Sequence, residues 1–281
     1  MYKRILTIQD ISCFGQCSLT VALPIISACG VEAAVLPSAV LSTHTGCNFS
    51  GYTFRDLTED MPAISAHWKK ENITFDSFYT GYLGSKKQVE YVQQIMDAHG
   101  NPGATKIIDP VLGDNGKLYA GFDAEFVEAM KNLVACADVI MPNITEASLL
   151  TGIEYRETYD ETYVRRQLEA LEKIGTRAVI LTGISYRPET TGIVIYEQGN
   201  YQYYEHKRIP RICHGTGDII ASAYVGALAR GIDHFTAVKI AADYTLRCIE
   251  NTVGDEEKHF YGVKFETALL SLAQAVESAA K

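Results

Sequence analysis

The sequence predicts an α/β fold: a doubly wound, mostly parallel central sheet with helices on both faces. Short β-type runs alternate with helix-length segments along the whole chain, the pattern of successive βα units. Several of these runs, such as Lys106-Ile107-Ile108 and Ala178-Val179-Ile180-Leu181, are continuously apolar rather than alternating. Strands covered on both faces read this way. Polar residues cluster at the expected strand exits, where ligands of such sheets gather.

In order, strands are expected at 4–9, 32–36, 77–80, 105–109, 138–141, 177–182 and 192–197. Helices are expected at 18–28 (bent at Pro24), 57–70, 85–98, 123–136, 144–151, 160–174, 217–230, 234–250 and 265–280. Tyr201, Tyr203 and Tyr204 suggest the packing of a β-hairpin. No composition shift, linker or internal repeat divides residues 1–281, so one domain is expected.

With 281 residues, 47% of them apolar and 21% charged, the chain has the composition of an ordinary soluble globular protein. A net charge of −9 without a visible basic stripe argues against a nucleic-acid surface. The same charge repels a nucleotide, so a nucleotide site needs local donors and a divalent cation. No apolar run reaches membrane-spanning length. Seven cysteines, at 13, 17, 29, 47, 136, 213 and 248, show no paired zinc spacing and suit reduced thiols in a cytoplasmic protein.

The exits carry the chemistry. Gln9-Asp10 follows the first strand, with Ser12 close behind, and Ser42-Thr43-His44-Thr45-Gly46 lies beyond the second. His44 is either a buried, satisfied histidine or part of a substrate lip. Thr80-Gly81-Tyr82 follows the third strand. Asp109-Pro110-Val111-Leu112-Gly113-Asp114-Asn115-Gly116 puts two carboxylates in one loop. Such a pair suits magnesium held with phosphate oxygens, and equally a turn built from Asp, Pro, Asn and Gly. Asn143 and Glu146, three apart at a helix start, suit metal-bound water or a cap with its N3 glutamate. Thr182-Gly183 offers a hydroxyl and a hinge. Lys86 and Lys87 look like a solvated helix face.

Cys213-His214-Gly215-Thr216-Gly217-Asp218, followed by the apolar run 219–228, organises the rest. Two glycines permit a tight turn and close ligand approach, and the helix start that follows offers free N–H groups to an anion. A carboxylate at that mouth suits a base that takes the proton of a hydroxyl attacking a phosphoryl group. Thr216 or Asp218 as a plain helix cap is the alternative. Neither G-x-x-x-x-G-K-[ST] nor an early G-x-G-x-x-G is present, which disfavours P-loop and dinucleotide folds.

Taken in order, these motifs resemble the ribokinase-like superfamily, and within it the pyridoxal/pyridoxamine kinases. The resemblance implies ATP-dependent phosphorylation of the 5′-hydroxymethyl group of pyridoxal, pyridoxamine or pyridoxine. It implies Asp218 as base and the amides of Gly215, Thr216 and Gly217 as the anion hole. Asp109, Asp114, Asn143 and Glu146 would serve ATP, Mg2+ and its waters, with Asp109, Asp114 and Glu146 as the metal set. Thr182 would contact phosphate; His44, Thr45 and Tyr82 would line the substrate pocket. K+ or Na+ and a homodimer belong to the same expectation. Asp10 stands where many of these kinases have a ring-contacting serine, so Asp10 or Ser12 is expected to meet the ring. Hydroxymethylpyrimidine kinase and a non-catalytic vitamer or nucleotide binder are the rivals. Cys213 is expected to pack, with trapping of the pyridoxal aldehyde as the alternative. A flap between Asp114 and Phe122 is permitted by Gly113, Gly116 and Gly121.

Overall fold

Successive residues of a strand face opposite sides of its sheet, and here each side receives an apolar one. Ile5, Tyr79, Ile107, Val139 and Ile180 enter one core; their neighbours Leu6, Phe78, Ile108, Ile140 and Val179 enter the other. The structure, a computed structural model, describes residues 2–46, 49–211, 213–255 and 257–280. Cys47 lies outside them; of the described cysteines, Cys29 and Cys248 are buried and Cys13 and Cys136 exposed.

In chain order the strands are β1 (Arg4–Phe14), β2 (Glu32–Thr43), β3 (Phe54–Asp56), β4 (Phe75–Thr80), β5 (Gly100–Ile108), β6 (Gly113–Asp114), β7 (Lys117–Leu118), β8 (Val139–Ile140), β9 (Ala178–Ile184), β10 (Thr190–Glu197) and β11 (Asn200–Lys207). Among the described residues nine of them form one sheet, ordered β11-β10-β9-β8-β5-β4-β1-β2-β3, with β6 and β7 apart as a small hairpin. The six central strands are parallel, and β3, β10 and β11 add antiparallel edges. The chain reverses its direction of strand addition at β1, which pairs with both β2 and β4. Ligand crevices form at such switch points.

One face carries α1 (Leu19–Ala28), and later α7 (Thr216–Ala229), α8 (His234–Glu250) and α9 (Leu269–Ala279). The other carries α3 (Lys86–His99), α4 (Ala124–Val134), α5 (Ile144–Thr151) and α6 (Glu161–Glu172). Helix α7 is apolar nearly all round because it is buried between the sheet and its neighbours. Gly226 lets α1 approach closely: a Cβ there would lie 2.6 Å from Cys29 Sγ.

The structure differs from expectation in three informative places. The first strand does not end before Asp10; β1 continues through Asp10 and Ser12, with a register irregularity between Gln9 and Ile11. The helix expected from 57 is α2 (Met61–Lys70), because Leu57–Asp60 forms a turn and Pro62 is placed to start a helix. The last helix begins at Leu269, after a 3₁₀ turn over Phe265–Ala268. Pro24 sits inside α1 without ending it.

Candidate active site

Backbone hydrogen bonds between neighbouring exits set the site in a row. Gly81 N–H donates to Ile8 O (3.0 Å), Asp109 N–H to Thr80 O (3.1 Å), Met141 N–H to Ile108 O (3.0 Å) and Thr182 N–H to Pro142 O (2.9 Å). Beyond this row stands the start of α7. Its cap, Gly215, has φ 75°, and a Cβ there would lie 1.8 Å from Gln16 O, so only glycine fits. Gly217 differs: its φ is ordinary and a Cβ would meet nothing within 4 Å. The space beside Gly217 is therefore open, at a helix start whose unpaired amides and dipole favour an anion.

Asp218 follows in that turn. Burial pushes its carboxyl up to about 6, against the Ser18 N–H that donates to it at 3.0 Å, and the charge of Asp10 adds to the rise. The plain-cap alternative does not hold for Thr216 or Asp218, since the cap position is Gly215 and makes no side-chain cap bond.

On one side of Asp218 lies a buried polar set. Asp10 accepts from Ser18 Oγ (2.5 Å) and Ser12 Oγ (3.0 Å), and burial raises its carboxyl against the pull of these two bonds. Tyr82 lies within the field of Asp10 and stacks on Phe122 at 5.8 Å between ring centres. His44 is buried and engaged: Nε2 pairs with Tyr261 O at 2.9 Å, and Nδ1 accepts from Gly46 N–H at 3.1 Å. A carbonyl only accepts, so the ring is neutral with its proton on Nε2; burial lowers its pKa accordingly. Thr45 is exposed at the rim.

Behind Asp218 is the carboxylate row. Burial, then the charges of Glu146 and Asp218, push Asp109 well above the carboxylate range. Its loop holds Val111 at φ 30°, a genuine outlier for a β-branched residue and worth roughly 1–3 kcal/mol of strain. Glu146 is pushed by burial to about 7. Both its oxygens are engaged, accepting from Leu112 N–H (3.0 Å) and Asn143 N–H (2.8 Å). Asn143 Oδ1 accepts from Glu146 N–H (2.9 Å), which completes a capping box at α5. Asn143 Nδ2 reaches Gly113 O at 3.0 Å and so ties this cap to the β6–β7 hairpin. That hairpin turns through Asn115 (φ 51°) and Gly116 (φ 74°), both of the left-handed type that a two-residue hairpin loop requires. Asp114 is exposed on it, and Tyr119 just beyond lies within the field of Glu146, Asp114, Asp109 and Asp218.

Among the described residues no three His, Cys, Asp or Glu side chains come close enough to share one ion. The charges of Glu146 and Asp218 nonetheless raise Asp109, that of Asp114 raises Glu146 and that of Asp10 raises Asp218, and no cationic side chain offsets any of the three. Magnesium keeps most of its waters and takes one or two carboxylates plus phosphate oxygens. The row fits such a hydrated ion and does not fit a direct three-carboxylate cage.

On the other side of α7's start opens a cavity of about 820 Å³. Thr216, Asn143, Thr182 and Asp114 line it, as do Arg187, Lys207, Arg208 and Arg211. These cations were not evident as a site in the sequence, because they come from β11 and the segments flanking its hairpin. The signal was present in Lys207-Arg208 and Arg211, two short steps before the glycine motif. They gather positive charge at one place on a chain whose net charge is −9.

A basic cavity, a glycine-capped helix start and a desolvated carboxylate thus gather at the strand exits of a ribokinase-like fold, and the chain is a kinase. The chain belongs to the phosphomethylpyrimidine kinase family, whose model matches residues 23–261. It is similar to a Bacteroides thetaiotaomicron protein, provisionally named a phosphomethylpyrimidine kinase and solved with pyridoxal, at 37% identity and TM-score 0.92 over 100% of this chain and 99% of that one. Pyridoxal kinase from Lactobacillus plantarum is 31% identical, with TM-score 0.91 and full coverage of both chains. The hydroxymethylpyrimidine/phosphomethylpyrimidine kinase of Bacillus subtilis is 26% identical over 90% of this chain and 84% of its own. No helix among the described residues is long and apolar enough to cross a membrane.

Proposed function

We propose that this kinase transfers the γ-phosphoryl group of ATP to the 5′-hydroxymethyl group of pyridoxal, pyridoxamine or pyridoxine. The observation that carries this reading is the position of Asp218, which accepts from Ser18 of the buried Asp10–Ser12–Ser18 set and lies two residues after Thr216 of the basic cavity's wall. ATP would lie in the cavity against Asn143, Thr182, Lys207, Arg208 and Arg211, its γ-phosphate on the amides of Gly215, Thr216 and Gly217. The vitamer ring would face Asp10, with Tyr82, His44 and Thr45 around it. A ring nitrogen or 3-hydroxyl can donate to Asp10, while Ser12, already bonded to Asp10, orients that carboxylate.

The vitamer hydroxyl oxygen bonds to the γ-phosphorus as the β,γ-bridging bond breaks and ADP leaves; the hydroxyl proton passes to Asp218. Near-neutral pH leaves Asp218 ionised and close to the ambient pH, which suits a general base. Asp109, Asp114 and Glu146, with Asn143, would hold Mg2+ through its waters, and the ion would neutralise phosphate charge. K+ or Na+, a homodimer and a cytoplasmic location belong to the same reading.

The test is ADP release from MgATP with pyridoxal, pyridoxamine, pyridoxine and hydroxymethylpyrimidine side by side. Turnover with a B6 vitamer is the expected result. The similarity to the Bacillus subtilis enzyme supports hydroxymethylpyrimidine as the second reading, and turnover with the pyrimidine alone selects it. Vitamer binding without turnover by any acceptor would leave a binder.

A further inference from the structure

We propose that Ser18 is a positioning residue for the transfer, clamping Asp10 with its hydroxyl and Asp218 with its backbone amide. The proposal rests on the functional reading above and adds to it a residue that makes no substrate contact of its own. Three observations converge on it. Ser18 stands at the N-cap of α1, where a serine hydroxyl ordinarily accepts from the first turn of its own helix. Here it makes no such cap and donates instead to Asp10 at 2.5 Å. Its backbone, φ 55° and ψ −134°, lies where glycine is at home and serine is strained. That backbone accompanies an N–H that donates to Asp218 at 3.0 Å.

A serine thus accepts a glycine conformation and forgoes its cap while making two bonds to two acidic groups 208 positions apart in sequence. The neighbouring chain supports the placement. Gln16 O lies where a Cβ on Gly215 would be, so the segment before Ser18 abuts the glycine turn of α7 directly. Ser12 holds the second oxygen of Asp10. The ionisable groups that face Asp10 are His44, Tyr82 and Asp218. Of these, Asp218 is the one Ser18 also touches. The clamp fixes the carboxylate that meets the ring and the carboxylate that takes the proton in one frame. When the amide no longer holds Asp218, an error of about an ångström between such groups costs on the order of a hundredfold in rate.

The test compares Ser18→Gly with Ser18→Ala. Glycine suits the backbone and keeps the amide, so it removes only the hydroxyl. We expect the vitamer KM to rise about tenfold or more, as for a lost bond to a charged group, with the MgATP KM and kcat within about threefold of wild type. The hydroxyl favours the ionised form of Asp10, so without it Asp10 ionises at higher pH. The acid limb of kcat/KM for the vitamer should move upward. Alanine loses the same hydroxyl but does not suit the backbone, so its kcat should fall below that of the glycine variant as the amide leaves Asp218. Equal rises in both KM values, or an unchanged vitamer KM with an unchanged pH profile in Ser18→Gly, overturn the proposal. If wild type turns over no vitamer, the functional reading fails first. The clamp is then decided by carboxyl NMR titration of Asp10, assigned with Asp10→Asn. An upward midpoint in Ser18→Gly supports it and an unmoved one overturns it.

Discussion

The two sides of Asp218 are built from opposite materials. The cavity side is open and basic, walled by Lys207 at the end of an appended antiparallel edge and by Arg208 and Arg211 just beyond it. The acceptor side is closed and acidic, with Asp10 held by two serines among Tyr82, His44 and their aromatic neighbours. An acidic chain therefore places its positive charge locally, where phosphate would lie, and keeps it from the side where a ring that can donate hydrogen bonds would lie. The carboxylate between them is raised by burial because neither side supplies it with a cation.

The largest break in this arrangement is Asp218→Ala. Turnover should fall by roughly three orders of magnitude, within the range for loss of a positioned base, while ATP affinity stays similar; steady-state kinetics decides. Nearly normal turnover would remove Asp218 as base. The same residue predicts a cost in stability. Its folded pKa of about 6 lies above that of an aspartate in an unfolded chain, so the folded state holds the proton more tightly. Its contribution is present below the unfolded value and is lost as pH rises through about 6. Metal-free Asp218→Asn should consequently melt higher than wild type at pH 7 and show a smaller difference at pH 4.

Next in size, Lys207→Ala with Arg208→Ala should raise the MgATP KM by about tenfold and leave the vitamer KM nearly unchanged. Equal effects on both would erase the division between the two sides. Asn143→Ala or Glu146→Gln should raise the magnesium concentration needed for half-maximal rate several-fold. Asn143→Ala also removes one half of a capping box, so a melting loss equivalent to about 1 kcal/mol accompanies it, whereas a glutamine at 146 can keep the other half. Unchanged magnesium dependence would leave those two residues as a cap alone. The smallest effect is in Gly217→Ala: nothing crowds a Cβ there, so stability should hold while the MgATP KM rises by about threefold through crowding of the phosphate.

The parallel strands were legible because two-sided burial leaves an uninterrupted apolar run, as in Ile107-Ile108 and Val179-Ile180-Leu181. Where a strand leaves that double cover, the signal vanishes. Asp10 and Ser12 read as loop, yet they lie inside β1, their polarity serving one another rather than solvent. The three residues of β3 are all exposed and carry no core pattern to read. The glycine motif was legible locally, since Gly215 answers to its own backbone. Asn143 and Glu146 show the limit of such motifs: the cap and the metal-water assignment predict the same two residues, and the observed box satisfies the first without bearing on the second. Ser18 and the Lys207–Arg211 wall escaped for a different reason. Each acts on groups distant in sequence, and only folding brings them together.

The most direct test of the two-sided account is calorimetric titration of Asp218→Asn with MgATP and then with pyridoxal. Both ligands should bind nearly as they do to wild type, the second in the presence of the first, with no ADP formed. Loss of either ligand together with turnover would make Asp218 a structural support rather than the base between two sites.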